Sequence, residues 1–264
     1  MLIPKKIHYV WVGDKKKPES VLRCIASWKK YCPDYEIIEW NNEKLEEVSN
    51  LYVQQAVLYK KWAFVSDYMR LYALNECGGF YFDTDLELTN NIEKFRNYKF
   101  VTGHEIWDGT FSPLTAFMGA VKGNKIVEDL LKEYDNLEFI KNGEIDYTTN
   151  VERFIDYIDN IYGIKKPFNG EKTLELENKI FIFPYYYFCT PVHNKQNYSI
   201  HHFNGSWISD IDRKVVCQIG KYKIIRLKKK STTVKSALPI YLNEKIISKI
   251  KTSSTRIYCI VKVE

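Results

Sequence analysis

The sequence predicts an α/β fold, and three observations carry that reading. Strand-like alternation gives way repeatedly to helical apolar spacing, a long helix-patterned stretch runs straight into an aromatic strand, and no uninterrupted apolar run approaches the ~20 residues of a membrane-spanning helix. The elements follow in order. Residues 5–13, KKIHYVWVG, alternate, concentrate β-branched and aromatic types, and stop at Gly13 and Asp14, as a first strand and its turn would. In 19–32, Val21, Leu22, Ile25 and Trp28 fall at helical spacing, and Pro33 ends the helix. A second strand is expected over 35–40, with Asn41 or Asn42 capping the next helix. From 54 to 76, Val57, Leu58, Trp62, Val65, Met69, Tyr72 and Ala73 recur at three- and four-residue steps, predicting one helix that Gly78 and Gly79 stop. Farther on, 99–105 and 179–184 read as strands, and 124–135 and 150–160 as helices. The aromatic run 181–191, FIFPYYYFCTP, reads as core filling rather than pocket lining.

At 264 residues the chain is long enough to bury a substantial core without covalent staples, and 45% hydrophobic with 27% charged residues is the composition of an ordinary globule. Its six cysteines (Cys24, Cys32, Cys77, Cys189, Cys217, Cys259) form no CxxC pair and read as reduced thiols in a cytosolic setting. The first residues, MLIPKK, lack the apolar run of a signal peptide. The net charge of +6 is uneven. Residues 213–264 carry fourteen Lys and Arg against two Asp and Glu, which leaves the first 212 residues at −6. The expected organisation is therefore an acidic body over 1–212 and a basic amphipathic segment over 213–264.

The helix over 54–76 delivers the chain into FYFDTDLEL, where Asp83 and Asp85 stand one residue apart after a run of aromatic side chains. Like charges this close raise each other's pKa and are costly to bury without an offsetting cation. Side chains repeat every second residue of a strand, so both carboxylates are expected on one side of an extended chain. Two hard oxygen donors so placed suit Mg2+ or Mn2+. Alone, Asp-x-Asp also occurs in ordinary acidic loops. Asp67 and Arg70, three residues apart, can pair on one helix face.

The order of IPKKIHYVWVG (3–13), AFVSDYMRLYALNECGGFYFDTDLEL (63–88) and HHFNGSW (201–207) resembles glycosyltransferase family 32, known for its DxD sugar-binding region, and more distantly the large clostridial glucosylating toxins. The resemblance implies a GT-A fold with a mostly parallel central sheet, a divalent cation (Mn2+ or Mg2+), and transfer from a nucleotide sugar with retention of configuration. It implies that Trp11 stacks on the nucleotide base and that Asp67 and Arg70 contact ribose and sugar hydroxyls. Asp83 and Asp85 would serve metal and diphosphate, and His202 would complete the metal shell. Ser206 and Trp207 would clamp the donor phosphate, with Asn204 a further oxygen ligand. Asp83, Asp85 and Arg70 are thus the expected catalytic groups. His201 and His202 also have an ordinary loop reading. Glu105, Asp108 and His104 fall where a nucleophile could lie, and no spacing rule selects one; front-side displacement would need none.

The basic segment alternates Lys and Arg with Ile, Leu, Val and Tyr, which reads as a membrane-surface element or, equally, as a solvated tail. The acidic body and the lack of any recognised module argue against nucleic acid as a partner. The leading expectation is a transferase acting on a glycan acceptor in surface polysaccharide synthesis. If the segment meets the membrane, that acceptor is expected to be lipid-linked, at the cytoplasmic face. The alternatives are a protein-modifying, effector-like transferase and a non-catalytic membrane-associated module that binds a nucleotide sugar.

Overall fold

The computed structural model describes residues 1–107, 109–141 and 143–203, and the backbone of four further strands at 211–219, 222–229, 245–251 and 256–262. The chain divides into two units, Met1–His202 and Phe203–Glu264.

The first unit begins with β1 (Lys6–Val10), α1 (Glu19–Tyr31), β2 (Glu36–Trp40) and α2 (Asn42–Glu46). Asn41 caps α2, its side chain accepting from the Lys44 N–H. In α1, Val21, Ile25 and Trp28 are buried, while Leu22 is 52% exposed and stands outside the stripe. The stretch read as one helix over 54–76 is two, α3 (Leu51–Leu58) and α4 (Trp62–Cys77). α3 buries Tyr52, Val53 and Ala56 on one side, whereas α4 buries residues on all of its faces. The chain turns between them at Lys60, whose φ of 55° is left-handed, and Leu58 is exposed rather than in the stripe.

α4 ends at Gly78, and Gly79, at φ 113°, turns the chain into β3 (Gly79–Phe82). A Cβ on Gly79 would lie 2.8 Å from the Lys6 carbonyl oxygen, so only glycine fits this corner. The unit continues through β4 (Leu86–Leu88), β5 (Phe100–Trp107), β6 (Thr110–Ala120), α5 (Lys125–Glu133), β7 (Ile140–Lys141), β8 (Glu144–Ile145) and α6 (Asn150–Tyr162). It closes with β9 (Leu174–Glu177), β10 (Ile180–Phe183), α7 (Tyr185–Phe188) and β11 (Ser199–His201).

The seven-stranded sheet has the order β2-β1-β3-β6-β5-β10-β9. β2, β1, β3, β5 and β10 run one way and β6 and β9 run back, so the sheet is mostly parallel in direction although three of its six pairings are antiparallel. β6 carries a poor strand signal because Pro113 interrupts it, and proline belongs at sheet edges. Pro113 lies opposite His104, in the part of β6 that β3 does not reach, since β3 pairs only with Phe117–Ala120.

Alternate residues of β3 face opposite layers. Phe82 meets Trp28 of α1 at 5.5 Å between ring centroids, while the Tyr81 hydroxyl lies 2.8 Å from Ser66 of α4. On the Phe82 side, Phe117 stacks on Phe188 at 3.9 Å and 11°, and Phe95 and Phe183 close around them. The aromatic run therefore fills core as expected.

In the second unit, β12 (Ile211–Ile219), β13 (Tyr222–Lys229), β14 (Lys245–Lys251) and β15 (Arg256–Lys262) form an antiparallel sheet in the order β12-β13-β15-β14. No helix among the described residues is long and apolar enough to cross a membrane.

Candidate active site

Strand β3 ends one residue before the carboxylates. The Asp83 N–H donates to the Ala116 carbonyl at 2.9 Å, and the Leu86 N–H donates back to the Asp83 carbonyl at 2.9 Å, closing a turn around Thr84 and Asp85. The two side chains therefore converge through a turn, not through the two-residue repeat of an extended strand. Beyond the turn, β4 pairs antiparallel with β11, aligning Leu86 with His201 and Glu87 with Ile200. The His202 N–H donates to the Asp85 carbonyl at 3.0 Å, which ties the distant HH segment to the turn.

Asp83, Asp85 and His201 each offer a ligand atom, and these atoms lie within 4.8 Å of one another. The His201 Nε2 is 3.4 Å from the Asp85 carboxylate. The structure thus brings in His201 where His202 was expected. Adjacent side chains of an extended chain leave on opposite sides, and the His202 Nε2 lies instead 2.9 Å from the Glu87 carboxylate, with its side chain 40% exposed. Burial alone would lower the His201 imidazole pKa. The charge of Asp85 and the hydrogen bonds to Asp85 and Cys189 outweigh it and hold His201 well above the usual histidine range. Two carboxylates and one imidazole form a donor set that fits a divalent cation, Mn2+ more naturally than Mg2+ because of the nitrogen.

Arg70 backs the turn. Its guanidinium lies 3.1 Å from Asp83 Oδ1 and 3.0 Å from Asp67 Oδ1, and its Nη1 donates to the Thr115 carbonyl at 3.1 Å. The Tyr81 hydroxyl also donates to Asp83 Oδ1, at 2.7 Å. Arg70 is buried, and although burial opposes its charge, Asp83, Tyr81 and Asp67 more than compensate and raise its pKa. Asp67 is committed to the protein on both sides, since its other oxygen accepts from the Asn150 N–H at 3.2 Å. Burial raises the Asp67 carboxyl, and Arg70 and the Asn150 N–H offset only part of that rise. Expected to contact ribose and sugar hydroxyls, Asp67 and Arg70 are here paired with each other.

Of the two described residues weighed as nucleophiles, Glu105 and His104, Glu105 is the one whose charge interacts with this cluster. It follows a register shift between Thr102 and His104 in β5, a bulge of the kind that re-aims side chains. Burial pushes its carboxyl up to about 7; His201 and Arg70 pull down and Asp83 pushes up. His104 is instead buried, its Nδ1 3.1 Å from the Phe183 carbonyl, and burial lowers it to about 4. Asp108, Asn204, Ser206 and Trp207 lie outside the described residues. Trp11 leaves the end of β1, the strand that neighbours β3. Its Nε1 donates to the Lys15 carbonyl at 2.9 Å and the Lys17 ammonium lies 5.9 Å from its ring.

Residues 18–101 match the family model described as a glycosyltransferase sugar-binding region containing a DXD motif. The chain carries a glycosyltransferase DXD region. That region runs from the start of α1 to the start of β5, so it contains Asp67, Arg70, Asp83 and Asp85, and excludes Trp11 and His201. No curated protein matches this chain. Among solved structures, the PaToxG glycosyltransferase matches at 20% identity with a TM-score of 0.46, covering 60% of this chain and 70% of that one. A transferase with two cysteine-to-serine changes matches at 7% and 0.42, over 64% of this chain and 90% of the other. The UDP-bound glycosyltransferase domain from the YGT toxin matches at 12% and 0.32, over 62% and 68%.

Three residues in or behind the DXD turn carry no expectation as site residues from the sequence. His201 was passed over for its neighbour, Tyr81 read only as an aromatic strand residue, and Asn150 sits more than sixty residues beyond the motif. Nothing in the HH pair itself separates His201 from His202. The other two left no local signal.

Proposed function

We propose that this protein is a metal-dependent, retaining glycosyltransferase that moves a hexose from a nucleotide sugar, a UDP-sugar, to a glycan acceptor in surface polysaccharide synthesis. The observation that supports this best is the approach of Asp83, Asp85 and His201 to within 4.8 Å at the DXD turn, in a chain whose residues 18–101 match a glycosyltransferase sugar-binding region. A divalent cation at these three side chains would supply positive charge to the diphosphate leaving group. Arg70 steadies Asp83 and adds a fixed cation beside the turn. Trp11 offers an aromatic face for the base, Asp67 holds Arg70, and Ser206 with Trp207 would grip the phosphates. No residue is assigned as nucleophile. In front-side displacement the departing phosphate takes the acceptor proton.

The basic segment 213–264 is proposed to meet an anionic membrane surface, where a lipid-linked acceptor would be presented. Its sheet register sets Lys214 opposite Arg226, Lys228 opposite Arg256 and Lys245 opposite Lys262. An anionic leaflet attracts such a segment by about 1 kcal/mol per cation near the surface.

The test is incubation of the full chain with Mn2+ and a panel of UDP- and GDP-sugars, reading released nucleoside diphosphate. Slow hydrolysis of one donor is expected, lost in Asp85→Ala. A wild-type chain that binds a donor but never turns it over would point to the non-catalytic module instead.

A further inference from the structure

Behind the DXD turn runs a chain of contacts that ends in α6, more than sixty residues away in sequence. Asp83 Oδ1 accepts from Tyr81 and forms an ion pair with Arg70; Arg70 also pairs with Asp67; and Asp67 is held twice by Asn150, the first residue of α6. The Asn150 N–H donates to Asp67 Oδ2 at 3.2 Å, and its side-chain amide donates to the Asp67 carbonyl at 2.7 Å. The other end of that amide accepts from the Tyr134 hydroxyl at 3.0 Å. Tyr134 is fixed in turn by Asn50, which donates to its carbonyl at 3.1 Å, and by edge contacts with Tyr52 and Tyr68 at 4.9 and 5.5 Å. Asn150 is 2% exposed and Arg70 5%, so neither exchanges these partners for water.

We infer that Asn150 is a positioning residue for Asp83, acting through Asp67 and Arg70. The inference rests on the proposed function only in making Asp83 a working group of the site.

The plain alternative is that Asp67 and Asn150 serve to start α6. That task already has its own residues. Thr149 and Glu152 form a complete capping box, with the Thr149 side chain accepting from the Glu152 N–H and the Glu152 carboxylate accepting from the Thr149 N–H. The Asn150 side chain adds nothing to that cap. It spends its donor on the backbone of α4 at Asp67 and its acceptor on Tyr134, which fixes where the Asp67 turn of α4 sits relative to α6. Arg70 lies one turn along the same helix, and its Nη2 spans the gap between Asp67 and Asp83. A shift of Asp67 therefore reaches Asp83 through one guanidinium.

The experiment compares Asn150→Ala and the isosteric Asn150→Asp with Thr149→Ala, which weakens the start of α6 without touching Asp67. The Asn150 variants are expected to lose at least ~10-fold in kcat for donor hydrolysis and in apparent Mn2+ affinity, the usual range for removing an outer partner of a working side chain. Thr149→Ala should lower the melting temperature while leaving both within about twofold of wild type. If Asn150→Ala and Thr149→Ala behave alike, the role is structural and the inference fails. Should wild type prove inert toward every donor, the proposed function fails, and a crystal structure of an Asn150 variant decides this point separately: Arg70 displaced from Asp83 sustains it, and an unchanged Arg70–Asp83 pair overturns it.

Discussion

His8 lies inside the first strand with no exposed surface, and its two ring nitrogens fix its protonation state. Nε2 is 2.8 Å from the Gly78 carbonyl, which can only accept, so Nε2 carries the proton. Nδ1 accepts the Trp40 indole N–H at 3.1 Å and has to be bare. A second proton would set two donors against each other in a dry site. Burial lowers the His8 pKa to about 4; the Gly78 bond opposes this, Lys6 and Lys44 add to it, and Glu36 opposes it. A folded value below the unfolded value of about 6.5 means that stability is present in full above pH 6.5 and is lost as pH falls toward 4. At about 1.36 kcal/mol per unit, the full loss is roughly 3 kcal/mol, of which about 2 has gone by pH 5. Other groups titrate in the same window. His104, lowered to about 4, works in the same direction, and Glu105, raised to about 7, works in the opposite one. The informative quantity is therefore the difference between wild type and His8→Gln, in which those contributions cancel. Urea unfolding at pH 7 and pH 5 should show wild type losing about 2 kcal/mol more than the variant. Equal losses would refute the reasoning. So would an NMR titration of the folded wild-type His8 ring with a midpoint near 6.5, a readout that needs no variant.

Further outcomes are expected at other positions. A saturating level of Mn2+, about 100 times its dissociation constant, stabilises a folded site by about 2.7 kcal/mol; His201→Ala should lose most of the resulting rise in melting temperature and His202→Ala should keep it, and the reverse order would return the metal shell to His202. In EDTA, Glu105→Gln should gain stability over wild type at pH 8 relative to pH 5, by about 2.5 kcal/mol, because a buried carboxyl raised to about 7 is mostly charged only at the higher pH; a pH-independent difference in urea midpoints would contradict this. Gly119→Ala would place a Cβ 2.6 Å from Phe80 and 2.8 Å from Val101, and calorimetry should show a loss of about 1–3 kcal/mol from overpacking.

The parts of this fold that could be read in the sequence are those whose cause is local. β1, α1 and the Asn41 cap follow from alternation, apolar spacing and a side chain three residues from its partner. The single helix over 54–76 is two because the chain turns at Lys60, at a left-handed φ of 55°, and the apolar spacing runs across that turn without a sign of it. β6 carried no expectation at all, for the opposite reason. Pro113 is a valid local argument against a central strand, but it sits where β6 has a neighbour on one side only, and that is a property of the sheet. At the site, Asp83 and Asp85 were found and their geometry was wrong: a turn closed by Leu86 onto Asp83 does what an extended strand was expected to do. His201, one residue before the expected His202, is the histidine that approaches the two carboxylates, and His202 meets Glu87 instead.

The charges around the turn suggest why such a site would need its cation first. Asp67, Asp83, Asp85 and Glu105 place four carboxyl groups against one guanidinium, Arg70, and one imidazole, His201. Arg70 is already occupied by Asp67 and Asp83, and His201 by Asp85, so neither positive group is spare. The metal-free pocket is thus held together by its own pairs and offers a diphosphate more repulsion than attraction. A divalent ion held by Asp83, Asp85 and His201 would reverse that balance. UDP alone should then leave the melting temperature where it is, while UDP with Mn2+ raises it beyond Mn2+ alone; a rise with UDP in EDTA equal to the rise with both would show that the side chains suffice, and the charge argument would fall.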